Sequence, residues 1–192
     1  AGSVVFDQAG NAGFAGDITG YGGTDGTMTK RNAGTLTLAG TSTLDWSVEA
    51  GTVVSASNRF TGDLNIASGA GFAFDQASDG NYGGTISGAG DLAATGGGVV
   101  TLGGDSSGFS GLSTITGSTL IVNSRLGGSA LIGIDGRLAG EGTIGSGAGS
   151  LVTIADGGTL APGNSICTLK VDGNLGMASG SRHEGEVAPG GT

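Results

Sequence analysis

The sequence predicts an all-β fold, a parallel β-helix in which each coil takes about 22 residues. Three observations predict it: an excess of glycine, short strand-like runs between turns, and the recurrence of similar residues 22 positions apart. Glycine accounts for 45 of the 192 residues, against two prolines. That content is roughly three times ordinary usage, and because no Gly-X-Y period accompanies it, collagen is excluded. Glycine clustered with Ser, Thr, Asn and Asp is typical of tight turns.

Short runs of β-branched and aliphatic residues lie between these turns. Typical examples are Thr35–Leu38 (TLTL), Val99–Leu102 (VVTL) and Thr119–Val122 (TLIV). Such runs have the composition of strands and are too short for helices. No window of eleven or more residues shows the 3.6-residue apolar period of a capped helix. The sequence therefore predicts almost no helix.

A spacing of 22 residues relates two segments near the C-terminal end. It maps Ile132, Gly136, Leu138, Ala139 and Ile144 onto Ile154, Gly158, Leu160, Ala161 and Ile166. Three short strands and three corners need about this many residues, which favours one coil of a parallel β-helix. A sandwich or an up-and-down barrel would have longer strands joined by hairpins. We therefore expect Leu138 to stack on Leu160 and Ile144 on Ile166, in a narrow core of Val, Leu, Ile, Ala and Thr.

A longer repeat is also visible. It relates residues 6–9 (FDQA) to 74–77 (FDQA), and residues 34–40 to 98–104, at offsets of 68 and 64. Three units of 22 approximate these offsets, so we expect Asp7 and Asp75 to occupy equivalent turns three coils apart. At ~4.8 Å per coil their separation would be roughly 14 Å, beyond the ~5–9.5 Å between the carboxyl groups of glycosidases. We interpret both as turn aspartates that bind their own backbone.

The charge distribution excludes several functions. The net charge is -9, and the seven basic residues are scattered along the chain. Without a basic patch we expect neither nucleic acid nor a membrane surface as a partner, and we interpret the acidity as a solvated surface. No apolar stretch of eighteen residues and no signal-peptide pattern is present, so no membrane insertion is expected. Because composition is uniform, residues 1–192 are predicted to form one solenoid domain.

The residue types that most often act in catalysis or metal binding lack suitable partners in this sequence. His183 is the only histidine and lies beside Glu184, and Cys167 is the only cysteine. A zinc site needs three or four converging ligands, and a serine hydrolase would have His183 as its only candidate base. We interpret His183 as a surface residue on a terminal strand and Cys167 as a small corner or core residue. No catalytic, cofactor-binding or metal site is predicted.

The sequence disfavours two other functions of β-solenoids. Calcium-binding rolls repeat Gly-Gly-x-Gly-x-Asp every nine residues, whereas residues 22–26 and 103–105 are isolated fragments that we interpret as turns. A carbohydrate-active enzyme would need carboxylates clustered with Arg or Lys on one face. The basic residues are dispersed, apart from the adjacent pair Lys30 and Arg31.

A longer motif lies between residues 157 and 175 and reads GGTLAPGNSICTLKVDGNL. Its order is more specific than any of its parts, and it resembles the C-terminal passenger region of autotransporters of the AIDA type. The resemblance covers about residues 97–190. The motif residues, to which the resemblance assigns a folding and capping role, are Gly158, Thr159, Leu160, Pro162, Gly163, Asn164, Ser165, Ile166, Leu169, Val171, Gly173, Asn174 and Leu175.

The resemblance implies a right-handed parallel β-helix that reaches the surface of a Gram-negative bacterium by type V secretion. The partner would be an outer-membrane β-barrel of the same precursor, and residues 120–190 would act as an autochaperone. The chain would then be a noncatalytic, extracellular stem that displays an adhesin or virulence region. The alternative is that the segment itself adheres to a host or neighbouring cell, or self-associates. A physical reason for such a region exists, because the last coil of a solenoid leaves unpaired strand edges that need a cap.

Overall fold

The computed structural model describes residues 2–20, 26–163 and 168–185, and this part of the chain contains 23 β-strands and no helix. The first eight strands are β1 (Ser3–Asp7), β2 (Ala12–Phe14), β3 (Thr27–Arg31), β4 (Thr35–Leu38), β5 (Asp45–Val48), β6 (Thr52–Ser55), β7 (Leu64–Ile66) and β8 (Gly71–Asp75). The next eight are β9 (Gly80–Tyr82), β10 (Ile86–Gly88), β11 (Asp91–Thr95), β12 (Val99–Leu102), β13 (Leu112–Ile115), β14 (Thr119–Val122), β15 (Arg125–Leu126) and β16 (Ser129–Ile132). The last seven are β17 (Arg137–Gly140), β18 (Thr143–Ile144), β19 (Leu151–Ile154), β20 (Thr159–Pro162), β21 (Lys170–Val171), β22 (Asn174–Met177) and β23 (Arg182–His183).

The strands form three faces of a solenoid, and every pair between neighbouring coils is parallel. Face 1 contains the sheets β1-β3-β5-β7-β10 and β15-β18-β21, with isolated bridges from Gly88 to Phe109 and from Ser106 to Leu126 between them. Face 2 is the nine-stranded sheet β2-β4-β6-β8-β11-β13-β16-β19-β22, one strand per coil. Face 3 is the sheet β9-β12-β14-β17-β20-β23. The predicted all-β parallel solenoid is confirmed.

The length of a coil varies along the chain. Stacked partners lie 17 residues apart at Thr35 and Thr52 but 27 apart at Thr143 and Lys170. The expected spacing of 22 holds where the sequence indicated it, since Ile132 pairs with Ile154, Leu138 with Leu160 and Ala139 with Ala161. The partner of Ile144 is Val171, so the stacking expected for Ile144 was wrong, and Ile166 lies outside the described residues.

The longer repeat does not correspond to stacking, and that interpretation was wrong. Asp7 ends β1 on face 1, whereas Asp75 ends β8 on face 2. In the same way residues 34–40 contribute to face 2 and residues 98–104 to face 3. Many of the described corners combine a strand end with a short polar turn that often contains glycine, so unrelated corners look alike. Variable coil lengths also break any fixed offset.

Side chains alternate along the strands, and the inward ones form the core. In the C-terminal half they are mostly aliphatic, as expected, with Phe109 as a buried aromatic exception. In the N-terminal half, contrary to expectation, aromatic rings form a continuous cluster with neighbouring ring centroids 4.9–6.1 Å apart. Its members are Phe6, Trp46, Phe60, Phe72, Phe74 and Tyr82. The solenoid is therefore wide enough there for rings, which also excludes Trp46 and Tyr82 from any exposed aromatic ladder.

A buried lysine closes one corner between faces 1 and 2. Lys30 occupies an inward position at 0% exposure. Its Nζ donates hydrogen bonds to the carbonyl oxygens of Arg31 (2.7 Å), Asn32 (2.6 Å) and Ala50 (3.3 Å). Burial lowers the pKa of this amino group, and the three carbonyls replace the water it loses on folding. Lys30 is thus a structural element of the core, a role that the sequence analysis missed.

Tyr82 connects the aromatic cluster to the backbone of the preceding coil. Its hydroxyl donates a hydrogen bond to the carbonyl oxygen of Gly62 at 2.7 Å and lies 3.1 Å from that of Thr85. Burial, with a contribution from the nearby carboxylates of Asp63 and Asp45, raises the pKa of the hydroxyl far above its ordinary value. The neutral phenol is therefore the form that the folded chain stabilises.

This pKa shift predicts a loss of stability at alkaline pH. In the unfolded chain Tyr82 ionises near pH 10, whereas in the folded chain it stays protonated, so the free energy of unfolding should decrease as pH rises above about 10. Urea unfolding at pH 7 to 11 measures it. The Tyr82→Phe variant should lose about 1 kcal/mol at neutral pH but show a weaker decline above pH 10. An unchanged decline in Tyr82→Phe would contradict the assignment.

Candidate functional site

The predicted folding motif begins in the turn before β20. The N–H of Gly158 donates to the carbonyl oxygen of Ala155 at 3.0 Å. A Cβ at Gly158 would lie 2.5 Å from the carbonyl oxygen of Ile132 in the preceding coil. Glycine is therefore required here because the two coils approach each other closely. The turn places Leu160 in the core, at 4% exposure, stacked on Leu138.

The second part of the motif ends β20. Pro162 pairs with Gly140 of the preceding coil, and the N–H of Gly163 donates to the carbonyl oxygen of Gly140 at 3.0 Å. Gly163 has a φ of 86°, a conformation that favours glycine. Thr159 lies outward on face 3 between Arg137 and Arg182. The motif residues Asn164, Ser165 and Ile166, together with Cys167, lie outside the described residues.

The third part of the motif forms the last described coil. Leu169 is buried, and Val171 stacks on Ile144 and packs against the core. A Cβ at Gly173 would lie 2.7 Å from the carbonyl oxygen of Ser150. The backbone N–H of Asn174 donates to the carbonyl oxygen of Ser150 at 2.9 Å, and its side-chain amide donates to the carbonyl oxygen of Ala148 at 3.0 Å. The structure thus brings the described motif residues together in two successive coils.

The last described coil covers the inward side chains of the coil before it. Val152 and Ile154 are completely buried beneath Leu175 and Met177. Leu175 and Met177 occupy the same inward rows but are 46% and 45% exposed. Leu175, a residue of the predicted motif, therefore covers Val152 and is itself only half-buried.

Among the described residues, two ion pairs connect the last described coil to earlier ones. Arg125 contacts Asp172 at 3.5 Å, and Arg137 pairs with Glu184 two coils away. The Arg137 guanidinium lowers the pKa of the Glu184 carboxyl by hydrogen bonding and charge. All four side chains are well exposed, so each pair contributes little to stability. Packing and backbone pairing, rather than charge, hold this coil.

His183 lies on β23, the last strand of the described residues, and is exposed, as expected for a surface residue. It stacks on Leu160. Within residues 2–20, 26–163 and 168–185, no group of three His, Cys, Asp or Glu side chains could hold a metal ion.

The interpretation of Asp7 and Asp75 as turn aspartates that bind their own backbone was wrong. Their carboxylates instead accept hydrogen bonds from residues of the next coil. Asp7 accepts a hydrogen bond from the side chain of Asn32, and Asp75 accepts one from the hydroxyl of Thr95 at 3.2 Å. Asp105 does support its own turn, since it accepts the N–H of Ser107. This contact lowers the pKa of Asp105.

Further carboxylates at strand starts show the same arrangement, which the sequence analysis missed. Asp45 accepts the backbone N–H of Asp63 at 2.8 Å, and Asp63 accepts that of Thr85 at 2.7 Å. Asp17 accepts both the N–H and the hydroxyl of Thr41. The sequence did contain a signal for these hydrogen bonds, because an Asp stands at or just before the start of a short strand in successive coils. These carboxylates fix the register between coils.

Comparisons of the chain with protein-family models, with curated proteins and with solved structures found no significant match. The described part of the chain has no helix that is long and apolar enough to span a lipid bilayer.

Proposed function

We propose that this chain is part of a noncatalytic β-helical stem of an autotransporter passenger, which promotes its own folding and its secretion across the outer membrane. The stem would display an adhesin or virulence region at the bacterial surface. One observation carries the proposal: the described residues of the motif lie together in the last two described coils, where β22 covers the buried Val152 and Ile154. Residues 120–190 would be the autochaperone region.

The contacts of the last two coils support a role in folding. A solenoid is stabilised mainly by contacts between neighbouring coils, so folding proceeds from a stable nucleus to adjacent coils. β20 and β22 supply the strands on which β17 and β19 pair, and they bury Leu138, Val152 and Ile154. A chain emerging with its C-terminal end first would acquire this template before the rest.

Folding of the coils outside the cell would make the export of the chain through the outer membrane directional. Each coil that folds outside the cell buries apolar side chains and pairs its strands, so it cannot return through a narrow pore without unfolding. The required free energy would come from burial, at about 25 cal/mol per Å² of apolar surface. This mechanism needs neither a cofactor nor a catalytic group.

Deletion of residues 157–185 from the full-length precursor tests the proposal. We expect the amount of passenger at the cell surface to fall at least about tenfold, with degradation in the periplasm, because the template for folding is missing. Surface passenger is measured by labelling of intact cells, against total barrel as the reference. Display at the wild-type level after this deletion would contradict the proposal.

A matched control removes one coil from the middle. Thr52 stacks on Gly71, so deletion of residues 52–70 joins Gly51 to Gly71 and keeps the register of face 2. Surface display of this variant should remain close to the wild-type level. If both deletions reduce display equally, secretion depends on the number of coils rather than on the terminal ones.

Unfolding of the isolated chain separates folding from secretion. A chain ending at Asp156 lacks β20 to β23 and leaves Leu138, Val152 and Ile154 open to water. Far-UV circular dichroism in urea should show a large loss of stability compared with the whole chain. Equal stability would mean that the terminal coils are dispensable for folding.

The second candidate function is adhesion or self-association through the side of the solenoid. It is favoured by the outer side of face 2, where Leu112 and Leu151 are exposed at the starts of β13 and β19. A groove of about 500 Å³ lies on this face, lined partly by Gly71, Ala73 and Ala93. Leu151→Lys should then reduce the aggregation or adhesion of displaying cells, whereas the stem function alone would leave both unchanged.

A further inference from the structure

The outer side of face 2 carries negative charge and no positive charge. The nine strands of this face contain no Lys, Arg or His, and their only ionisable side chains are Asp75 and Asp91, which are both exposed. The Lys and Arg residues lie instead on strands of faces 1 and 3, apart from Arg59 in the segment between β6 and β7. Because the whole chain also has a net charge of -9, this face would attract a positively charged ligand.

The two carboxylates lie on neighbouring strands, on either side of a floor of small residues. β8 and β11 are paired along their whole length, with Asp91 at the start of one strand and Asp75 at the end of the other. Ala73 and Ala93 lie opposite each other between them and line the groove of face 2. Four residues of extended chain separate the two ends of this strand pair, about 13 Å at ~3.3 Å per residue. The two charges are therefore separated along the strands by an apolar floor.

Larger side chains border this floor on the neighbouring coils. In the same outward row, Val54 pairs with Ala73 on one side and Thr114 pairs with Ala93 on the other. Small residues in two successive coils therefore leave a depression two coils wide, roughly 10 Å at ~4.8 Å per coil. This width is enough for one extended peptide chain that lies along the strands.

Both carboxylates have oxygen atoms available to such a ligand. Among the described residues, the side chain of Asp91 takes part in no hydrogen bond or ion pair. Asp75 accepts the hydroxyl of Thr95 at 3.2 Å through one oxygen, which leaves the other free. Arg59, which lines a pocket together with Asp75, donates to the carbonyl oxygen of Ala39 instead of pairing with that carboxylate. Each carboxylate can therefore accept a charge-assisted hydrogen bond from a cationic side chain.

We propose that the outer side of face 2 binds an extended peptide segment of a partner protein, with two basic side chains four residues apart and an apolar side chain midway between them. In an extended chain, residues i, i+2 and i+4 face the same side and span about 13 Å. The two basic side chains reach Asp91 and Asp75, and the apolar one lies over Ala73 and Ala93. This inference deepens the second candidate function, because it names the partner, and it rests on face 2 being the adhesive surface.

Isothermal titration calorimetry of the purified chain with synthetic peptides tests this inference. The probe is the peptide Gly-Lys-Ser-Val-Ser-Lys-Gly with blocked ends. The control peptide, Gly-Lys-Ser-Val-Lys-Ser-Gly, has the same composition but places its lysines three residues apart. We expect the probe to bind at least about tenfold more tightly, because the control loses one charge-assisted hydrogen bond. Absence of binding, or equal affinity for the two peptides, would overturn the proposal.

Three variants locate the site on the protein. Asp91→Asn should weaken binding of the probe about tenfold, and Ala93→Leu should abolish it by filling the floor of the groove. Asp135→Asn removes an exposed carboxylate outside the strands of face 2 and should leave the affinity unchanged. None of these side chains belongs to the core, so circular dichroism should remain that of the folded chain. Equal effects of Asp91→Asn and Asp135→Asn would mean that net charge alone attracts the peptide, which contradicts the proposal.

The calorimetric result is distinguishable from failure of the adhesive function itself. If Leu151→Lys reduces the adhesion of displaying cells but the probe does not bind, face 2 is adhesive through a different partner and the peptide site alone is wrong. If the probe binds and Leu151→Lys leaves adhesion unchanged, the groove is a peptide site and the adhesive function is wrong.

Discussion

Phe74→Ala is expected to lower the free energy of unfolding by about 4 kcal/mol. The ring of Phe74 is completely buried, and its centroid lies 4.9 Å from that of Phe72 and 5.3 Å from that of Tyr82. Truncation removes this apolar surface and leaves a cavity that the surrounding coils cannot fill, because strand pairing holds them at a fixed spacing. Urea unfolding followed by the fluorescence of Trp46, the single tryptophan, measures the loss.

Phe14→Ala provides the matched control. Phe14 is an inward phenylalanine of the same face, but it is 37% exposed, and its ring centroid lies 5.7 Å from that of Phe6. Because water already reaches it, we expect a loss of only about 1–2 kcal/mol. If the two substitutions have equal effects, the aromatic cluster is not the stabilising part of the N-terminal half.

The short-range features of the fold could be predicted from the sequence. Val99–Leu102 and Thr119–Val122 alternate in exposure as their patterns indicate, and they pair residue by residue on face 3. Leu138 and Leu160 stack as expected. The alternation of apolar and polar residues and the glycine-rich turns are signals within a short stretch of sequence, so they indicate where each strand begins and ends.

Long-range stacking could not be predicted, because it depends on the length of each corner. The coil from Thr35 to Thr52 is ten residues shorter than that from Thr143 to Lys170. A similar sequence at a fixed offset therefore falls on another face, as residues 6–9 and 74–77 do. The sequence shows that a corner exists, but its path depends on contacts with the neighbouring coil.

Buried polar side chains were the second feature that the sequence could not reveal. Gln76 accepts the N–H of Ser57 at 2.6 Å and donates to the carbonyl oxygens of Ser78 and Val99. Its partners come from three different coils, as the partners of Lys30 come from two. A polar residue at an inward position is tolerated only when such partners exist, and the partners are visible only in three dimensions. The same holds for the exposure of Leu175, which depends on what stacks on it.

Gly140→Ala is expected to lower the free energy of unfolding by about 4 kcal/mol, the second large effect. Gly140 has a φ of 117°, and a Cβ there would lie 2.1 Å from the carbonyl oxygen of Val122 in the preceding coil. Alanine would therefore be strained in its backbone and would also push apart β14 and β17 on face 3. Urea unfolding by circular dichroism measures the loss.

Gly117→Ala separates the cost of backbone strain from the cost of the close contact with the preceding coil. Gly117 also has a positive φ, 57°, but no atom lies within 4 Å of a Cβ placed on it. Only the backbone strain remains, so we expect a loss of about 1–2 kcal/mol. Equal losses at the two positions would mean that conformation alone accounts for the glycines. A larger loss at Gly140 would mean that part of the high glycine content is required because adjacent coils stack too closely for a side chain.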